Sequence, residues 1–239
     1  MLKDLNLEIR KKSSVAFIGH SGAGKTTLAD ILMGLLKPAK GDVCVDGVSI
    51  FEGLNSWHQI IGYIPQTIYL MDDTIKNNIA FGIEEKEIDP ARLKYAVEQA
   101  QLSQLIEELE FGLDTKIGEM GVRLSGGQRQ ALTLLMATLE KPKLLLLDEH
   151  TAALDPKTAS KVLEVTDRIV QRDGLTTIMI THNMKDAIAH GNRLVMMHEG
   201  HIIYDVAGEE KKKLTVSDLL RKFEEASGDE FANDRMMLA

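Results

Sequence analysis

Apolar residues along this chain fall into two kinds of pattern, short continuous runs and helix-spaced repeats. Residues 15–18 and 144–147 are uninterrupted apolar runs, which indicate buried strands. Residues 26–36 and 156–170 repeat their apolar positions at helical spacing, with polar residues between them. This alternation of buried strands with amphipathic helices predicts an α/β fold around a parallel sheet.

Other segments extend the predicted sheet or interrupt it. Residues 60–64 and 177–180 are also predicted as strands. Residues 41–47 predict a strand that ends in an Asp-Gly hairpin turn, and a second hairpin is expected around Glu199-Gly200. From residue 75 onward the pattern is mostly helical, so the sequence predicts a helical insertion over residues 75–140.

The composition is that of an acidic globular protein. The chain has 239 residues, enough for one or two domains, with 44% hydrophobic residues, 27% charged residues and a net charge of −8. These values exclude a disordered, collagen-like or fibrous chain, and the acidic balance disfavours a broad nucleic-acid interface. The single cysteine, Cys44, excludes an intrachain disulfide and a cysteine-rich zinc site.

No segment is predicted to enter a membrane. The longest aliphatic run, residues 144–147, is far shorter than the ~18 apolar residues of a spanning helix. The first residues, Met-Leu-Lys-Asp-Leu, lack the apolar stretch and cleavage site of a secretory signal. We therefore expect a cytoplasmic protein that would serve a membrane only through another chain.

The first motif with chemical content is a glycine-rich loop between a predicted strand and a predicted helix. Residues 19–26, Gly-His-Ser-Gly-Ala-Gly-Lys-Thr, fit the pattern G-x-x-x-x-G-K-[ST] at every fixed position. Backbone N–H groups, the helix N-terminus and the Lys25 ammonium would meet a phosphate chain, and the Thr26 hydroxyl would ligate Mg²⁺. A glycine-rich turn without function is the alternative, which the flanking strand and the Lys-Thr pair disfavour.

Two carboxylates follow the apolar run at residues 144–147. Asp148 and Glu149 would be structural if they stood alone, because strands that end in acidic residues are common. Beside a phosphate-binding loop, Asp148 becomes a candidate partner of Mg²⁺, and Glu149 can orient and deprotonate an attacking water. The pair therefore predicts phosphoryl-transfer chemistry at the end of this strand.

A second element suited to phosphate lies at residues 124–128, Leu-Ser-Gly-Gly-Gln. Ser125 occupies a helix-capping position, and Gly126 and Gly127 leave backbone N–H groups exposed. A simple capped helix start is the alternative and would be preferred without the other motifs. The chain thus has one phosphate-binding loop but two helix N-termini suited to phosphate, one after that loop and one at Ser125. We therefore expect two copies of the chain to enclose nucleotide between them.

Together these motifs resemble the nucleotide-binding subunit of an ATP-binding-cassette (ABC) transporter, and the resemblance extends from Leu2 to Leu220. It implies a P-loop NTPase (RecA-like) core with a parallel sheet, a small antiparallel β region and a helical signature subdomain. It also implies a single ABC ATPase domain over residues 1–239. The catalytic core would comprise residues 1–74 and 141–206. The helical subdomain would comprise residues 75–140, and a C-terminal helical tail would comprise residues 207–239.

The resemblance also assigns site residues. The nucleotide-binding residues would be Gly19, Ser21, Gly22, Ala23, Gly24, Lys25, Thr26, Thr27, Ser125, Gly126, Gly127, Gln128 and Asp155. The catalytic residues would be Glu149 as general base, His182 as the switch histidine, Gln66 of the Q-loop and Lys25. The Mg²⁺ ligands would be Thr26, Gln66 and Asp148.

The activity implied by the resemblance is Mg²⁺-dependent ATP hydrolysis in a head-to-tail dimer with a second ABC ATPase chain, as a homodimer or heterodimer. The dimer would drive transport by transmembrane permease subunits from the cytosolic face of the membrane, with no nucleic acid bound. Two alternatives remain. An ABC ATPase acting on DNA or ribosomes would carry coiled-coil insertions or two cassettes, and a nucleotide-holding module would not hydrolyse ATP.

The chain departs from the family pattern in two respects. No aromatic residue precedes Phe17, whereas the family stacks adenine on an aromatic upstream of the loop, so we expect weaker nucleotide affinity and less base preference. The first part of the chain resembles exporter cassettes. From Ala131 onward it is instead similar to ATP-binding subunits of small bacterial systems paired with a substrate-binding lipoprotein. In the family, residues 124–128 correspond to the signature segment, and we state as a hypothesis that two cassettes are joined there.

Several other residues have simpler interpretations. The charge run at residues 209–213 is expected to be a solvated face. His20 and His150 are interpreted as local variants of their motifs, and the methionines at residues 179–197 as core residues. Trp57 is predicted to pack in the core or contact a partner, and no histidine metal site is expected at His190, His198 or His201.

Overall fold

The computed structural model describes residues 2–100 and 102–227, in a mixed α/β arrangement. The strands are β1 (Ser14–Ile18), β2 (Cys44–Val45), β3 (Val48–Ser49), β4 (Ile61–Ile64), β5 (Leu144–Asp148), β6 (Thr176–Ile180), β7 (Arg193–His198) and β8 (His201–Ala207). The α-helices are α1 (Lys25–Leu32), α2 (Leu54–His58), α3 (Ile75–Ile79), α4 (Pro90–Gln99), α5 (Ser103–Glu108), α6 (Gly126–Thr138), α7 (Pro156–Asp173), α8 (Met184–Ala189), α9 (Gly208–Lys212) and α10 (Val216–Ser227).

Six strands form the main sheet in the order β4-β5-β6-β1-β7-β8. All neighbouring strands are parallel except β7 and β8, which form an antiparallel hairpin. Strands β2 and β3 make a separate antiparallel pair around the Asp46-Gly47 turn. The α/β class, the parallel sheet and the small antiparallel region that the sequence predicts are thus confirmed.

Both faces of the sheet are covered by apolar side chains. Ala16 and Ile18 of β1 belong to one buried cluster, which includes residues of α6, α7 and α10. Val15 and Phe17 belong to the opposite cluster, which includes residues of α1 and α2. Because successive side chains of a strand point to opposite faces, a continuous apolar run such as β1 is what a sheet buried on both sides requires.

A third apolar cluster lies outside the sheet. Its buried members run from Leu70 to Leu135 and come largely from α3, α4, α6 and the loops between them. A separate core of this kind supports the predicted helical subdomain over residues 75–140, whose bounds stay a prediction. Within the described residues, no helix has the length and apolar character needed to cross a bilayer.

Helix α1 ends earlier than its apolar pattern predicts. The pattern predicts helix to residue 36, whereas α1 ends at Leu32 and Gly34 adopts a left-handed conformation with φ of 76°. The N–H groups of Leu35 and Leu36 both bind the Asp30 carbonyl, at 2.8 and 3.2 Å, in the turn that follows. A glycine in this conformation is a common helix end, because other residues are strained there.

The interpretation of residues 209–213 as a solvated face is wrong for Lys211. This side chain is only 2% exposed, and its ammonium donates hydrogen bonds to the carbonyls of Ile188, His190 and Gly191 at 2.6, 2.9 and 3.2 Å. Burial lowers its pKa, and the charge of Asp167 opposes that shift. Lys211 therefore closes the turn between α8 and β7, while the other four residues of the run are exposed.

Replacing Lys211 by Ala should destabilise the protein by about 1–3 kcal/mol, because three partly enclosed carbonyls lose their donor. Chemical denaturation measures the free energy of unfolding. Lys212→Ala is the matched control, since Lys212 is exposed and forms a surface ion pair with Glu209. Equal stability of the two variants would contradict a structural role for Lys211.

The remaining core predictions agree with the structure. Met179, Met184, Met196 and Met197 are buried. Trp57 is buried too, and its indole N–H donates to the Leu32 carbonyl at 2.8 Å. The predicted C-terminal tail is helical in α9 and α10, and its last part, residues 228–239, lies outside the described residues.

Candidate functional site

The loop that connects β1 to α1 requires its glycines. Gly22 and Gly24 have φ of 83° and 101°, a region that other residues rarely adopt. A Cβ on Gly19 would lie 2.4 Å from the Met197 carbonyl oxygen, and one on Gly24 would lie 2.6 Å from Leu2. Since β1 is buried and α1 starts at Lys25, the loop is held at the carboxyl edge of the sheet with helix-end N–H groups beside it.

Lys25 folds back over this loop. Its ammonium donates hydrogen bonds to the carbonyls of Gly19 and His20, at 2.7 and 3.0 Å, and the residue is 7% exposed. Burial lowers the pKa of Lys25, while the charges of Glu149 and Asp148 oppose the shift. The loop therefore encloses the Lys25 ammonium. An anion bound in the loop could replace the Gly19 and His20 carbonyls as acceptor of its hydrogen bonds.

Asp148 ends β5 and is buried beside the loop. The Tyr63 hydroxyl donates to its Oδ2 at 3.4 Å. Burial raises the pKa of Asp148, and the charge of Glu149 raises it further. Burial also raises the pKa of Tyr63 to about 12, with Asp148 contributing, so Tyr63 remains a donor at neutral pH. Sequence reasoning missed Tyr63, because its approach to Asp148 depends on the β4–β5 register, which pairs Tyr63 with Leu146, two residues before Asp148 on the same face of β5.

Three predicted catalytic residues meet at one carboxylate oxygen. The Gln66 side-chain amide donates to Glu149 Oε2 at 3.1 Å, and His182 Nδ1 lies 3.2 Å from the same atom. These residues follow β4, β5 and β6, three neighbouring parallel strands whose carboxyl ends share one edge of the sheet. Gln66 and His182 lie 83 and 33 residues from Glu149 in the sequence, and the order of the strands brings all three together.

Glu149 occupies a strained backbone position. Its φ is 47°, in the left-handed region, and its N–H donates to the Ile180 carbonyl at 2.9 Å. A non-glycine residue in this conformation costs about 1–3 kcal/mol, which the surrounding structure must offset. The bond to β6 fixes this conformation and directs the carboxylate toward Gln66 and His182.

The second segment suited to phosphate, residues 124–128, forms a complete capping box at the start of α6. Ser125 Oγ accepts the N–H of Gln128, and Gln128 Oε1 accepts the N–H of Ser125 at 2.7 Å. A Cβ on Gly126 would lie 3.0 Å from the Leu154 side chain, and one on Gly127 would lie 2.4 Å from the Thr158 side chain. The signature segment therefore packs closely against the start of α7.

Asp155 lies in the same region as the N-cap of α7. Its Oδ1 accepts the N–H of Thr158 at 3.1 Å, and hydrogen bonds from Thr158 lower its pKa. The predicted site residues thus form two groups. Lys25, Asp148, Glu149, Gln66 and His182 gather at the sheet edge with the glycine loop, and residues 125–128 lie with Asp155 where α6 and α7 begin.

The oxygen donors of the first group fit Mg²⁺. The Thr26 hydroxyl is exposed in the first turn of α1, Asp148 offers a carboxylate, and Gln66 carries an amide oxygen. Among the described residues there is no cluster of three or more His, Cys, Asp or Glu side chains that could hold a metal ion on its own. Mg²⁺ bound by few protein oxygens, together with phosphates and water, has no need of such a cluster.

His150, interpreted from sequence as a local variant, is a buried polar residue directly after Glu149. It is 4% exposed, and its Nε2 has no hydrogen-bond partner among the described residues. Burial lowers its pKa to about 4, the nearby His190 lowers it as well, and Asp167 opposes the shift. His190 itself pairs with Asp167, at 2.6 Å. His150 is therefore neutral in the folded protein at neutral pH.

The pKa of His150 predicts a loss of stability in mild acid. Between the unfolded value of about 6.5 and the folded value of about 4, only the unfolded chain binds the proton, so stability falls as the pH falls through this window. The size of the loss is roughly 3 kcal/mol. The free energy of unfolding of His150→Phe should fall less between pH 7 and pH 4 than that of the parent protein; parallel curves would contradict the assignment.

Comparison with known proteins points to one family. The sequence model of the family described as ABC transporter matches residues 2–152. A tyrosine transport ATP-binding protein of Clostridioides difficile is 38% identical over 231 residues, which are 95% of this chain and 92% of that protein. An ATP-dependent lipid A-core flippase of Alkalilimnicola ehrlichii is 37% identical over 204 residues, 85% of this chain.

The solved structures agree. A bacterial Atm1-family ABC exporter with ATP bound superposes with a TM-score of 0.78 and 32% identity over 93% of this chain. The chain spans nearly all of the tyrosine transport protein but only 34% of the flippase and 37% of the exporter chain. Because one relative aligns with both halves, the comparisons give no support to the hypothesis of two joined cassettes.

Proposed function

Because the chain belongs to the ABC transporter family, as an ATP-hydrolysing nucleotide-binding subunit, we propose that the sheet-edge group is its catalytic site. The observation that carries this assignment is the convergence of Gln66 and His182 on Glu149 Oε2. A carboxylate held by two side chains from neighbouring strands is positioned to act on a water molecule. Lys25 and the glycine loop supply the adjoining phosphate site.

Each residue has a distinct role in this proposal. The loop N–H groups and the Lys25 ammonium bind the phosphate chain, and His182 binds its terminal phosphate. Glu149 orients the attacking water and accepts its proton at a carboxylate oxygen. Thr26, Gln66 and Asp148 hold Mg²⁺, which neutralises charge on the phosphates when bound. Burial and the charge of Glu149 raise the pKa of Asp148, and a cation bound there would lower it again by favouring the ionised carboxylate.

We propose further that the site is completed by the signature segment of a second chain, in a head-to-tail dimer. Residues 125–128 present a helix N-terminus suited to an anion, yet they pack on Leu154 and Thr158 of their own chain. If the signature segment of each chain faces the loop of the other, a symmetric dimer contains two equivalent sites. The partner is a second copy or a related ABC ATPase chain.

Changing Ser125 to Asp tests this arrangement. Asp remains a good N-cap, so α6 should stay intact, but its charge would repel a phosphate bound across the dimer interface. In a Glu149→Gln background, which should slow hydrolysis, ATP should no longer produce dimers in gel filtration with light scattering. ATP binding to the single chain should persist.

Ser125→Asn is the matched control, because Asn also caps helices but carries no charge. This variant should still dimerise with ATP. Two results would contradict the dimer proposal: ATP-dependent dimers of the Asp variant, or loss of ATP binding by its single chain.

We propose that the energy of hydrolysis drives transmembrane permease subunits from the cytosolic face of a membrane. The relatives are named as transport or flippase proteins, which supports this coupling. Large apolar side chains are also exposed on and around the helical segment, at Tyr69, Phe81, Phe111 and Val122. Exposed large apolar side chains are candidates for a contact with a partner subunit.

A further inference from the structure

Helix α10 reaches the phosphate-binding loop through one aromatic side chain. Phe223 is 3% exposed, and its ring lies edge-on to the His20 ring, with centroids 4.8 Å apart and planes inclined by 66°. This is the geometry in which aromatic pairs attract one another. The contact joins residues 203 positions apart in the sequence and connects the C-terminal tail to the loop.

The rest of α10 is fixed on the core, so this contact has a rigid base. Leu219 is fully buried, and the Lys222 ammonium lies over the Tyr204 ring of β8 at 5.8 Å. At the start of the helix, Asp218 Oδ2 accepts the N–H and the hydroxyl of Thr215, at 3.0 and 2.7 Å. The helix also packs against α8, which begins two residues after His182.

His20 connects this helix to Lys25. Its carbonyl oxygen accepts the Lys25 ammonium at 3.0 Å and the N–H of Ala23 at 3.1 Å. The same residue therefore carries the ring that contacts Phe223 and the carbonyl that orders the inner turn of the loop. Holding the ring restricts the backbone rotation of His20, and with it the position of that carbonyl.

We propose that Phe223 is a positioning residue for nucleotide binding: by holding the His20 ring, α10 keeps the loop in the conformation that receives phosphate. The proposal rests on the function proposed for Lys25 and the loop. Its physical basis is entropy, because ordering a loop residue has an entropic cost, and a loop held before binding avoids that cost during binding.

The test is an ATP titration of Phe223→Leu, which keeps a buried apolar side chain but removes the ring. Loss of an aromatic pair should weaken ATP binding by about 3- to 10-fold. Turnover at saturating ATP should change little, so KM should rise more than kcat falls. In the ligand-free protein, hydrogen exchange at the amides of Ser21 and Gly22 should become faster.

Leu220→Ala is the control for general loosening of α10. Leu220 is partly buried on the same helix and packs on the core. We expect this variant to lower the melting temperature while keeping the ATP dissociation constant of the parent. A loss of ATP affinity equal to that of Phe223→Leu would show that helix stability alone is responsible and would overturn the proposal.

His20→Ala removes the other ring and tests the contact without altering α10. It should weaken ATP binding as Phe223→Leu does, and the double variant should be no weaker than either single variant. Additive losses, or unchanged affinity in both single variants, would overturn the proposal. Lys25→Met separates this result from the proposed function: if it binds ATP normally, the assignment of the loop itself is wrong, whatever the two rings do.

Discussion

Replacing Glu149 by Gln is expected to reduce ATP turnover by about 100- to 10,000-fold, the range that a positioned general base contributes. The substitution keeps the size and shape of the side chain. Its amide oxygen can still accept the hydrogen bond that Gln66 donates to Oε2 at 3.1 Å. What is lost is a carboxylate able to take the proton of water, so ATP should still bind and the ATP-bound dimer should accumulate.

Steady-state hydrolysis and an ATP titration measure these two effects separately. Glu164→Gln on α7 is the matched control, because Glu164 is exposed and lies outside the site. A Glu149 variant that hydrolyses ATP at the parental rate would remove Glu149 from the role of base. A parent protein that binds ATP but turns over no faster than the Glu149 variant would favour the module that holds nucleotide without hydrolysing it.

The sequence predicts the sheet well and places the proposed catalytic residues at the ends of its strands, because both depend on local patterns. Continuous apolar runs identify β1 and β5, and the polar residues after them mark the carboxyl ends where sites form in parallel sheets. The meeting of Gln66, Glu149 and His182 needs one further fact, namely that β4, β5 and β6 are neighbours. Family resemblance supplies that fact, whereas periodicity does not.

The sequence does not predict the environment of residues that are enclosed by distant parts of the chain. Lys211 sits in a run of charges, and nothing local indicates that three carbonyls from residues 188–191 surround it. His150 follows Glu149, yet the nearby groups that shift its pKa, Asp167 of α7 and His190, are distant in the sequence. Tyr63 likewise gains its role only from strand register. Local sequence pattern therefore identifies the candidate site residues, whereas tertiary packing determines which other polar side chains are buried.

Replacing Lys25 by Met should weaken ATP binding by about 100-fold or more, because several charge-assisted hydrogen bonds to phosphate are lost together. The ligand-free protein should lose less stability than Lys211→Ala does, because only two carbonyls lose their donor and the apolar stem is kept. Desolvation of the ammonium, which its lowered pKa indicates, partly offsets the two bonds to the Gly19 and His20 carbonyls in the parent. Methionine keeps an unbranched apolar stem in the same space.

Thermal unfolding with and without Mg²⁺-ATP separates the two effects of this substitution. A ligand at 100 times its dissociation constant stabilises the folded state by about 2.7 kcal/mol, so ATP should raise the melting temperature of the parent and leave that of Lys25→Met nearly unchanged. Lys40→Met is the control, since Lys40 is exposed and outside the loop. Equal stabilisation of all three proteins by ATP would place the phosphate site elsewhere. A Lys25→Met protein that is much less stable than the parent in the absence of ATP would instead show that the ammonium is structural, as Lys211 is.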